Sequence, residues 1–319
     1  MKKVLITGAA GFIGSNLAQG MLSEGYQVTG LDNFDDFYDP QIKRKAVEKL
    51  ATTPGFRLIE GDIRDRKLLD ETFMEVKPDL VIHLAARAGV RPSIADPQLY
   101  YDVNVSGTLV LLESMRKTGI KDLLFASSSS VYGNNKKVPF SESDPVDNPI
   151  SPYAATKKAG ELICYTYHHL YNFNIFCLRF FTVYGPGQRP EMAIQQFGKN
   201  IAEGAPITLY GDGTSRRDYT FVGDIVAGII SAANKLKGYE IINLGNSDTI
   251  TLLELVHGIE VTLEKKALIE WQPMQPGDVE TTYADISKAG KLLGYRPDYP
   301  VMKGLMKMFE EQKKRHGQI

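Results

Sequence analysis

Short apolar segments alternate with longer amphipathic segments through the first half of the chain. The apolar segments predict strands at residues 3–7, 27–32, 57–60, 80–84, 122–127 and 174–179. The segments between them have helical spacing of apolar residues and predict helices at 11–24, 39–50, 66–75, 103–118 and 152–171. This alternation predicts an α/β fold with a doubly wound parallel sheet. Ligands bind such a sheet at the carboxyl ends of its strands.

The pattern changes after residue 179, where prolines and glycines divide the chain into shorter elements. Residues 218–234 predict a strand followed by a helix that returns to the first domain. We therefore expect residues 1–180 to form a larger domain, together with a returning segment near 216–245. Residues 181–319 are expected to form most of a smaller, interleaved domain.

Composition narrows the class of protein. The 319 residues, 43% of them hydrophobic, can bury a full core. The net charge of −1 provides no general attraction to nucleic acid or to an anionic membrane, and no apolar run approaches the ~18 residues of a membrane helix. Cys164 and Cys177 lie in apolar segments and predict neither a disulfide framework nor a metal site. We expect a cytoplasmic protein without metal.

A glycine-rich turn joins the first strand to the first helix. Gly8, Gly11 and Gly14 have the spacing GxxGxxG and follow the apolar residues 4–7 directly. Gly8 permits a tight turn, Gly11 lets a pyrophosphate approach the backbone, and Gly14 allows close packing of helix on strand. The order of strand, turn and helix predicts a Rossmann-type site for a dinucleotide.

Acidic and small residues at later strand ends extend this site. Asp32 ends the second strand, where a carboxylate accepts both ribose hydroxyls and repels a 2′-phosphate. This favours NAD over NADP, although Lys43 and Arg44 nearby leave the exclusion of NADP open. Asp62, after the third strand, is interpreted as an adenine contact. The small residues 84–86 end the fourth strand and suit close approach of a cofactor.

Tyr153 and Lys157 form the candidate proton-transfer pair. They are four residues apart at the start of a predicted helix and therefore share one face. A neighbouring ammonium, together with the positive charge of a nicotinamide, is expected to lower the phenol pKa toward neutrality, as a general base requires. The hydroxyl cluster at residues 127–130 ends a strand and is expected to hold the reacting oxygen.

These motifs together resemble those of the extended short-chain dehydrogenase/reductase family, in its group of nucleotide-sugar epimerases and dehydratases. The resemblance covers nearly the whole chain. The matching segments, in the family's order, are TGAAGFIG, the strand-end Asp32, GDIRD, HLAA, SSSSVYG, YAATK, LRFFTVYGP and RRDYTFVGD.

The resemblance implies a role for each matching residue. Ser128, Tyr153 and Lys157 take the catalytic positions, although Ser129 or Ser130 could share the role of Ser128. The expected NAD contacts are Gly8, Gly11, Phe12, Ile13, Gly14, Asp32, Asn33, Asp62, Ile63, Leu84, Ala85, Ala86, Asn104, Ser127, Tyr153, Lys157 and Phe180. The expected contacts to a UDP-sugar are Arg91, Ser93, Ser128, Ser129, Thr182, Arg189, Arg217, Gln275 and Asp278.

Several positions narrow the reaction. Family dehydratases carry Asp-Glu before Val-Tyr-Gly, whereas this chain has Ser129 and Ser130, which favours reversible oxidation and reduction over elimination. The segments AGVRPS and TVYGPGQRPEM resemble the branch that epimerises UDP-glucuronate to UDP-galacturonate through a transient 4-keto sugar. Arg189 and Thr182 are then expected to hold the sugar carboxylate.

Other functions remain open from the sequence. The same residues could decarboxylate UDP-glucuronate to a UDP-pentose, or epimerise UDP-glucose, where Arg189 has no carboxylate partner. A module that binds NAD without turnover is a further alternative. The resemblance also implies a homodimer that pairs the helices at 103–118 and 152–171.

Overall fold

The structure is a computed structural model that describes residues 1–274 and 279–316. The strands of the main sheet are β1 (Lys3–Thr7), β2 (Gln27–Asp32), β3 (Phe56–Glu60), β4 (Leu80–His83), β5 (Asp122–Ser128), β6 (Asn174–Phe180) and β11 (Tyr239–Leu244). The shorter strands are β7 (Thr182–Tyr184), β8 (Pro206–Tyr210), β9 (Arg216–Arg217), β10 (Tyr219–Phe221), β12 (Ile250–Thr251) and β13 (Leu268–Gln272).

The helices mostly follow the strands in alternation. They are α1 (Phe12–Ser23), α2 (Pro40–Ala51), α3 (Arg66–Val76), α4 (Val90–Ala95), α5 (Pro97–Tyr101), α6 (Gly107–Thr118), α7 (Pro152–Tyr171), α8 (Ala193–Glu203), α9 (Val222–Lys235), α10 (Leu252–Leu263), α11 (Ser287–Leu293) and α12 (Val301–His316). A π-helical turn, Asp102–Ser106, leads into α6, and a 3₁₀ turn, Ser129–Tyr132, follows β5.

The seven main strands are all parallel and lie in the order β3-β2-β1-β4-β5-β6-β11. The predicted doubly wound α/β sheet is therefore confirmed, and each strand predicted from the sequence begins and ends within one residue of its predicted bounds. The order reverses between β1 and β4, because the chain crosses from β3 back over the sheet to continue on its other side. Such a reversal opens a crevice at the carboxyl ends of the two strands.

Both faces of the sheet are buried, which explains the continuous apolar runs in its strands. Along β1, Val4 and Ile6 pack into one core cluster, whereas Leu5 packs into the cluster on the opposite face. This is the alternation that a strand imposes on successive side chains. Thr7 ends the strand at the crevice and is fully buried.

The second half of the chain contributes to the main sheet and, within the described ranges, adds three small sheets. Helix α9 packs against α1, and β11 pairs with β6 at the edge of the sheet. The small sheets pair β10 with β7, β12 with β9, and β13 with β8. The division into two domains stays a prediction. In the described ranges, no helix combines the length and the apolar character needed to cross a membrane.

Candidate active site

A cavity of about 500 Å³ opens at the carboxyl ends of β1, β2, β4, β5 and β6. Its volume is in the range of small-molecule sites. Most of the residues predicted for the cofactor and the substrate line it. These are Gly8, Gly11, Phe12, Ile13, Gly14, Asp32, Asn33, Asp62, Ile63, Leu84, Ala85, Ala86, Ser127, Ser128, Ser129, Tyr153, Lys157, Phe180, Thr182 and Arg189.

The glycine-rich turn is closed so tightly that two of its glycines have no room for a side chain. Gly8 has a φ of +72°, and a Cβ there would lie 2.7 Å from the backbone nitrogen of Ala85. A Cβ on Gly14 would lie 2.0 Å from the Gly8 carbonyl oxygen. Helix α1 begins here without a side-chain cap on its free N–H groups. The turn therefore fits a phosphate-bearing ligand, which the free N–H groups and the helix dipole would hold.

Asp32 is fixed by the backbone around it. Its carboxylate accepts hydrogen bonds from the N–H groups of Ala10 and Phe34, both at 2.9 Å. Burial raises the carboxyl pKa, and these backbone bonds oppose the rise. Lys43 and Arg44, the two nearby cations that left binding of NADP possible, have partners of their own. Lys43 donates to the Asp35 carbonyl at 2.6 Å, and Arg44 makes a bidentate pair with Glu60 at 2.9 and 3.1 Å.

Asp62 lies on the rim of the cavity in a network of charged partners. Arg64 donates to its two carboxylate oxygens at 2.9 and 2.7 Å, and the Asn33 amide donates at 3.0 Å. The hydrogen bonds from the Arg64 side chain are the main cause that lowers the Asp62 pKa to about 2. The carboxylate is therefore an acceptor at any neutral pH.

Tyr153 and Lys157 lie in the first turns of α7, where local sequence fixes the start of the helix. The Ser151 hydroxyl accepts the Ala154 N–H at 3.1 Å, and Pro152 takes the first helical position. Lys157 is buried, donates to the Ala126 carbonyl at 2.7 Å, and lies 6.0 Å from the centroid of the Tyr153 ring. Burial lowers the Lys157 pKa to about 8.

The protein alone does not lower the phenol pKa, and the lowering expected from the sequence also involved the positive charge of a nicotinamide. Burial raises the Tyr153 pKa, while a hydrogen bond from Ser128 and the positive charge of Arg189 oppose the rise. Burial of the phenol is the main cause, and the Lys157 ammonium donates to the Ala126 carbonyl. Ionisation of Tyr153 therefore needs further positive charge in the cavity.

The serine cluster separates into different environments. Ser128 accepts hydrogen bonds from the Ser130 N–H at 3.2 Å and from the Ser130 hydroxyl at 3.0 Å. Its own proton is thereby left for the phenol oxygen of Tyr153. Ser127 points the other way and donates to the buried carboxylate of Glu161 at 2.6 Å. In this cluster, Ser128 is the serine that hydrogen-bonds to the Tyr153 phenol.

Arg189 and Thr182 both line the wall of the cavity. Its Nε atom pairs with Glu191 at 3.0 Å, and its guanidinium carbon lies 5.5 Å from the centroid of the Phe37 ring. The side chain is 20% exposed. A guanidinium held at the cavity by an exchangeable carboxylate partner can take a second carboxylate in its place.

Four of the predicted contact residues do not line the cavity. Asn104 and Ser93 are buried behind it, and the Ser93 hydroxyl accepts the Tyr153 N–H at 3.1 Å. The guanidinium carbon of Arg91 lies 4.6 Å from the centroid of the Tyr210 ring. Arg217, which lies in β9, donates to the Glu280 carbonyl. Their roles stay predictions. The predicted contacts Gln275 and Asp278 lie outside the described residues.

A further group of cavity residues lies in the loops after β2 and β4 and was not expected from the sequence. Asp35, Phe37, Tyr38 and Arg87 all line the cavity. Their position after strand ends was a signal that could have found them, because the carboxyl ends of parallel strands border the ligand crevice. Burial raises the Tyr38 pKa to about 12, so its phenol is neutral.

Comparison with known proteins agrees with this geometry. The model of the NAD dependent epimerase/dehydratase family matches residues 4–245. A UDP-glucuronate 4-epimerase of Thermodesulfobacterium geofontis is 46% identical over 302 residues, which cover 94% of this chain and 93% of that protein. UDP-glucuronate 4-epimerase 1 of Arabidopsis thaliana is 45% identical over 95% of this chain and 75% of its own length.

A solved structure gives the same result in three dimensions. The UDP-glucuronic acid 4-epimerase of Bacillus cereus, in complex with UDP-glucuronic acid and NAD, has a TM-score of 0.92 and 36% identity. The match covers 98% of this chain and 100% of that one. The resemblance inferred from the motifs is thereby confirmed: this chain belongs to the NAD-dependent epimerase/dehydratase family of extended short-chain dehydrogenases/reductases.

Proposed function

We propose that this chain is an NAD-dependent enzyme that interconverts UDP-glucuronate and UDP-galacturonate by epimerisation at C4. Relatives that carry this activity in their names match nearly the whole chain. The observation that carries the proposal is the meeting of three features in one cavity. These are the glycine-rich turn, the Ser128–Tyr153–Lys157 group, and Arg189.

The cofactor would occupy the side of the cavity next to β1. Gly8, Gly11 and Gly14 would hold its pyrophosphate, Asp32 its adenosine ribose, and Asp62 its adenine. Bound NAD would supply a reversible hydride acceptor for C4 of the sugar. Its positively charged nicotinamide would also supply the further charge that Tyr153 needs for ionisation.

Tyr153 is proposed as the group that takes the proton from the C4 hydroxyl. Ser128 donates to the same phenol oxygen and would orient the hydroxyl, while Lys157 supplies positive charge one helical turn away. The 4-keto sugar that results can turn over in the cavity before reduction on its other face. The same phenol then returns the proton, so a single acid–base group serves both half-reactions.

Arg189 is proposed to bind the sugar carboxylate, with Thr182 as a second contact. The guanidinium would exchange Glu191 for the substrate and form a bidentate pair. Oxidation at C4 produces a β-keto acid, which loses carbon dioxide when the carboxylate bond aligns with the ketone π system. A carboxylate held by two contacts can be kept out of that alignment, which distinguishes an epimerase from a decarboxylase.

The test is proton NMR of UDP-glucuronate incubated with the purified enzyme and NAD. We expect UDP-galacturonate signals to appear until both sugars reach equilibrium, with no release of carbon dioxide. UDP-glucose in a parallel sample should remain largely unchanged, because it offers Arg189 no carboxylate. Preferred turnover of UDP-glucose, or formation of a UDP-pentose, would refute the proposal in favour of the corresponding alternative.

The chain is further proposed to act as a cytoplasmic homodimer. Helices α6 and α7 pack on each other and leave large apolar side chains outside, among them Leu162 at 56% and Tyr165 at 52% exposure. A second copy would cover this surface, since large exposed apolar patches favour association. Cys164 and Cys177 are unpaired, which suits a reducing compartment.

Light scattering of the wild type and of Leu162→Glu tests the dimer. We expect twice the chain mass for the wild type and a monomer for the variant. A monomeric wild type, or a variant that stays dimeric, would contradict this surface as the interface.

A further inference from the structure

An ion pair crosses the crevice between the loops after β2 and β4. Arg87 Nη1 lies 2.7 Å from the Asp35 carboxylate, and the two side chains are only 15% and 25% exposed. In the sheet, β1 lies between β2 and β4. The ion pair therefore joins the loops on either side of the glycine-rich turn, which follows β1.

The surroundings hold Arg87 firmly in this place. Asn104, in the π-helical turn, accepts the Arg87 N–H at 2.8 Å and donates to the Arg87 carbonyl at 2.9 Å. The same Asn104 amide donates to Thr156 in α7 at 3.0 Å. On the outer side, the Phe37 ring lies 5.3 Å from the guanidinium carbon. Asn104 thus fixes the backbone from which the side chain extends, and Asp35 and Phe37 hold the guanidinium, which reduces the entropy lost on binding.

The guanidinium still has an unused donor. The Arg87 Nε atom is buried, and the described residues offer it no hydrogen-bond acceptor. A buried donor without a partner is costly in a folded protein, and the cost is greater for a charged group. Arg87 also lines the cavity. Nε itself has almost no accessible surface, so an anionic ligand in the cavity would satisfy it only after a small rotation of the side chain, whereas the positive charge of the guanidinium attracts such a ligand without that rotation.

We propose that Arg87 binds the diphosphate of the dinucleotide and, with Asp35, latches the cofactor in its crevice. This inference rests on the proposed function for the presence of NAD. The UDP-sugar also carries a diphosphate, but the location favours the cofactor. Ala85, two residues before Arg87, abuts Gly8 in the turn that would hold the dinucleotide phosphates.

The latch serves a specific need of an epimerase. The enzyme must keep one cofactor molecule through oxidation, turnover of the keto sugar and reduction, because escape between the half-reactions would strand the substrate. Arg87 contributes charge to the phosphates, and Asp35 keeps the guanidinium over them. Both loops would have to separate before the cofactor could leave.

Release of NADH measures the latch without any sugar substrate. The enzyme is loaded with NADH, mixed with a large excess of NAD, and followed by nicotinamide fluorescence. We expect Arg87→Met to release NADH roughly tenfold faster than the wild type or more, as the loss of charged hydrogen bonds requires. Asp35→Asn should give a smaller increase. Arg57→Met is the matched control, since Arg57 pairs with Glu75 on the exposed surface near the start of β3, at the end opposite the crevice, and its release rate should stay within twofold.

Calorimetric titration of the NAD-loaded enzymes with UDP tests whether Arg87 contacts the diphosphate of the UDP-sugar instead of that of the cofactor. We expect the UDP affinity of Arg87→Met to stay within twofold of the wild type. Release of NADH at the wild-type rate, or a tenfold loss of UDP affinity with unchanged NADH release, would overturn the inference. Arg87→Lys, which keeps the charge but loses the planar donors, serves if Arg87→Met does not fold, and it should also release NADH faster. A wild type that retains no NADH would instead refute the proposed function.

Discussion

Glu161 and Arg179 form a buried ion pair beneath the serine cluster at residues 127–130, and its disruption should destabilise the enzyme strongly. Both side chains are 1% exposed, and Arg179 donates to the two carboxylate oxygens through Nε and Nη2, each at 2.8 Å. Ser127 adds a third hydrogen bond. The change Glu161→Gln leaves a buried guanidinium without a counter-charge. Breaking such a pair costs about 3–5 kcal/mol.

Urea unfolding followed by circular dichroism measures this cost at one fixed protein concentration. We expect Glu161→Gln to lower the free energy of unfolding by about 3 kcal/mol or more. The double variant Glu161→Met/Arg179→Leu should lose much less than the two single changes together, because it leaves no unpaired charge. Glu60→Gln removes an equally well-formed but exposed pair and should change little. Additive losses in the double variant would refute the reasoning.

The same change should alter the pH dependence of the reaction. Glu161 lies one helical turn beyond Lys157, and its negative charge opposes the effect of burial on the Lys157 pKa. Loss of that charge lowers the Lys157 pKa below about 8. Since the proposed mechanism needs the protonated ammonium, the fall of kcat at alkaline pH should move to lower pH in Glu161→Gln.

Three other changes give independent tests. Arg189→Ala should weaken binding of UDP-glucuronate or release carbon dioxide and a UDP-pentose; wild-type binding and epimerisation would contradict the carboxylate role. Gly14→Ala places a Cβ 2.0 Å from the Gly8 oxygen, so calorimetry should show NAD binding at least roughly tenfold weaker; unchanged affinity would show that the turn can yield. Burial raises the Asp218 pKa to about 6, above its value in the unfolded chain. The contribution of Asp218 to folding stability is therefore present at low pH and falls by about 3 kcal/mol as pH rises from about 4 to 6. Asp218→Asn should flatten that part of the urea profile, and an unchanged slope would exclude Asp218 as its source.

The elements were predictable from the sequence because the signals that define them are local. Buried strands such as residues 122–127 show as short apolar runs, and α7 shows both a start signal in Ser151-Pro152 and a helical period. The cavity residues that follow motif positions, such as Asp32 and Tyr153, could be identified for the same reason. Their separation in the sequence does not hide them, because the order of strands along the chain implies that their ends meet.

Features that depend on the final packing could not be predicted. The ion pair of Arg87 with Asp35 requires that β1 lie between β2 and β4, which no local pattern reveals. The orientation of Lys157 toward the Ala126 carbonyl follows from the path of the chain at the end of β5. Ser93 showed only as a motif residue, whereas the fold places it behind Tyr153 as an acceptor for its N–H.

The role of Tyr153 as the acid–base group is the central claim, and Tyr153→Phe tests it most directly. The change removes one oxygen and leaves the ring packed against Tyr100. By proton NMR with UDP-glucuronate, we predict a kcat lower by roughly 10²-fold or more, while calorimetry shows UDP-glucuronate affinity within a few fold of the wild type. Epimerisation by Tyr153→Phe at the wild-type rate would contradict the account.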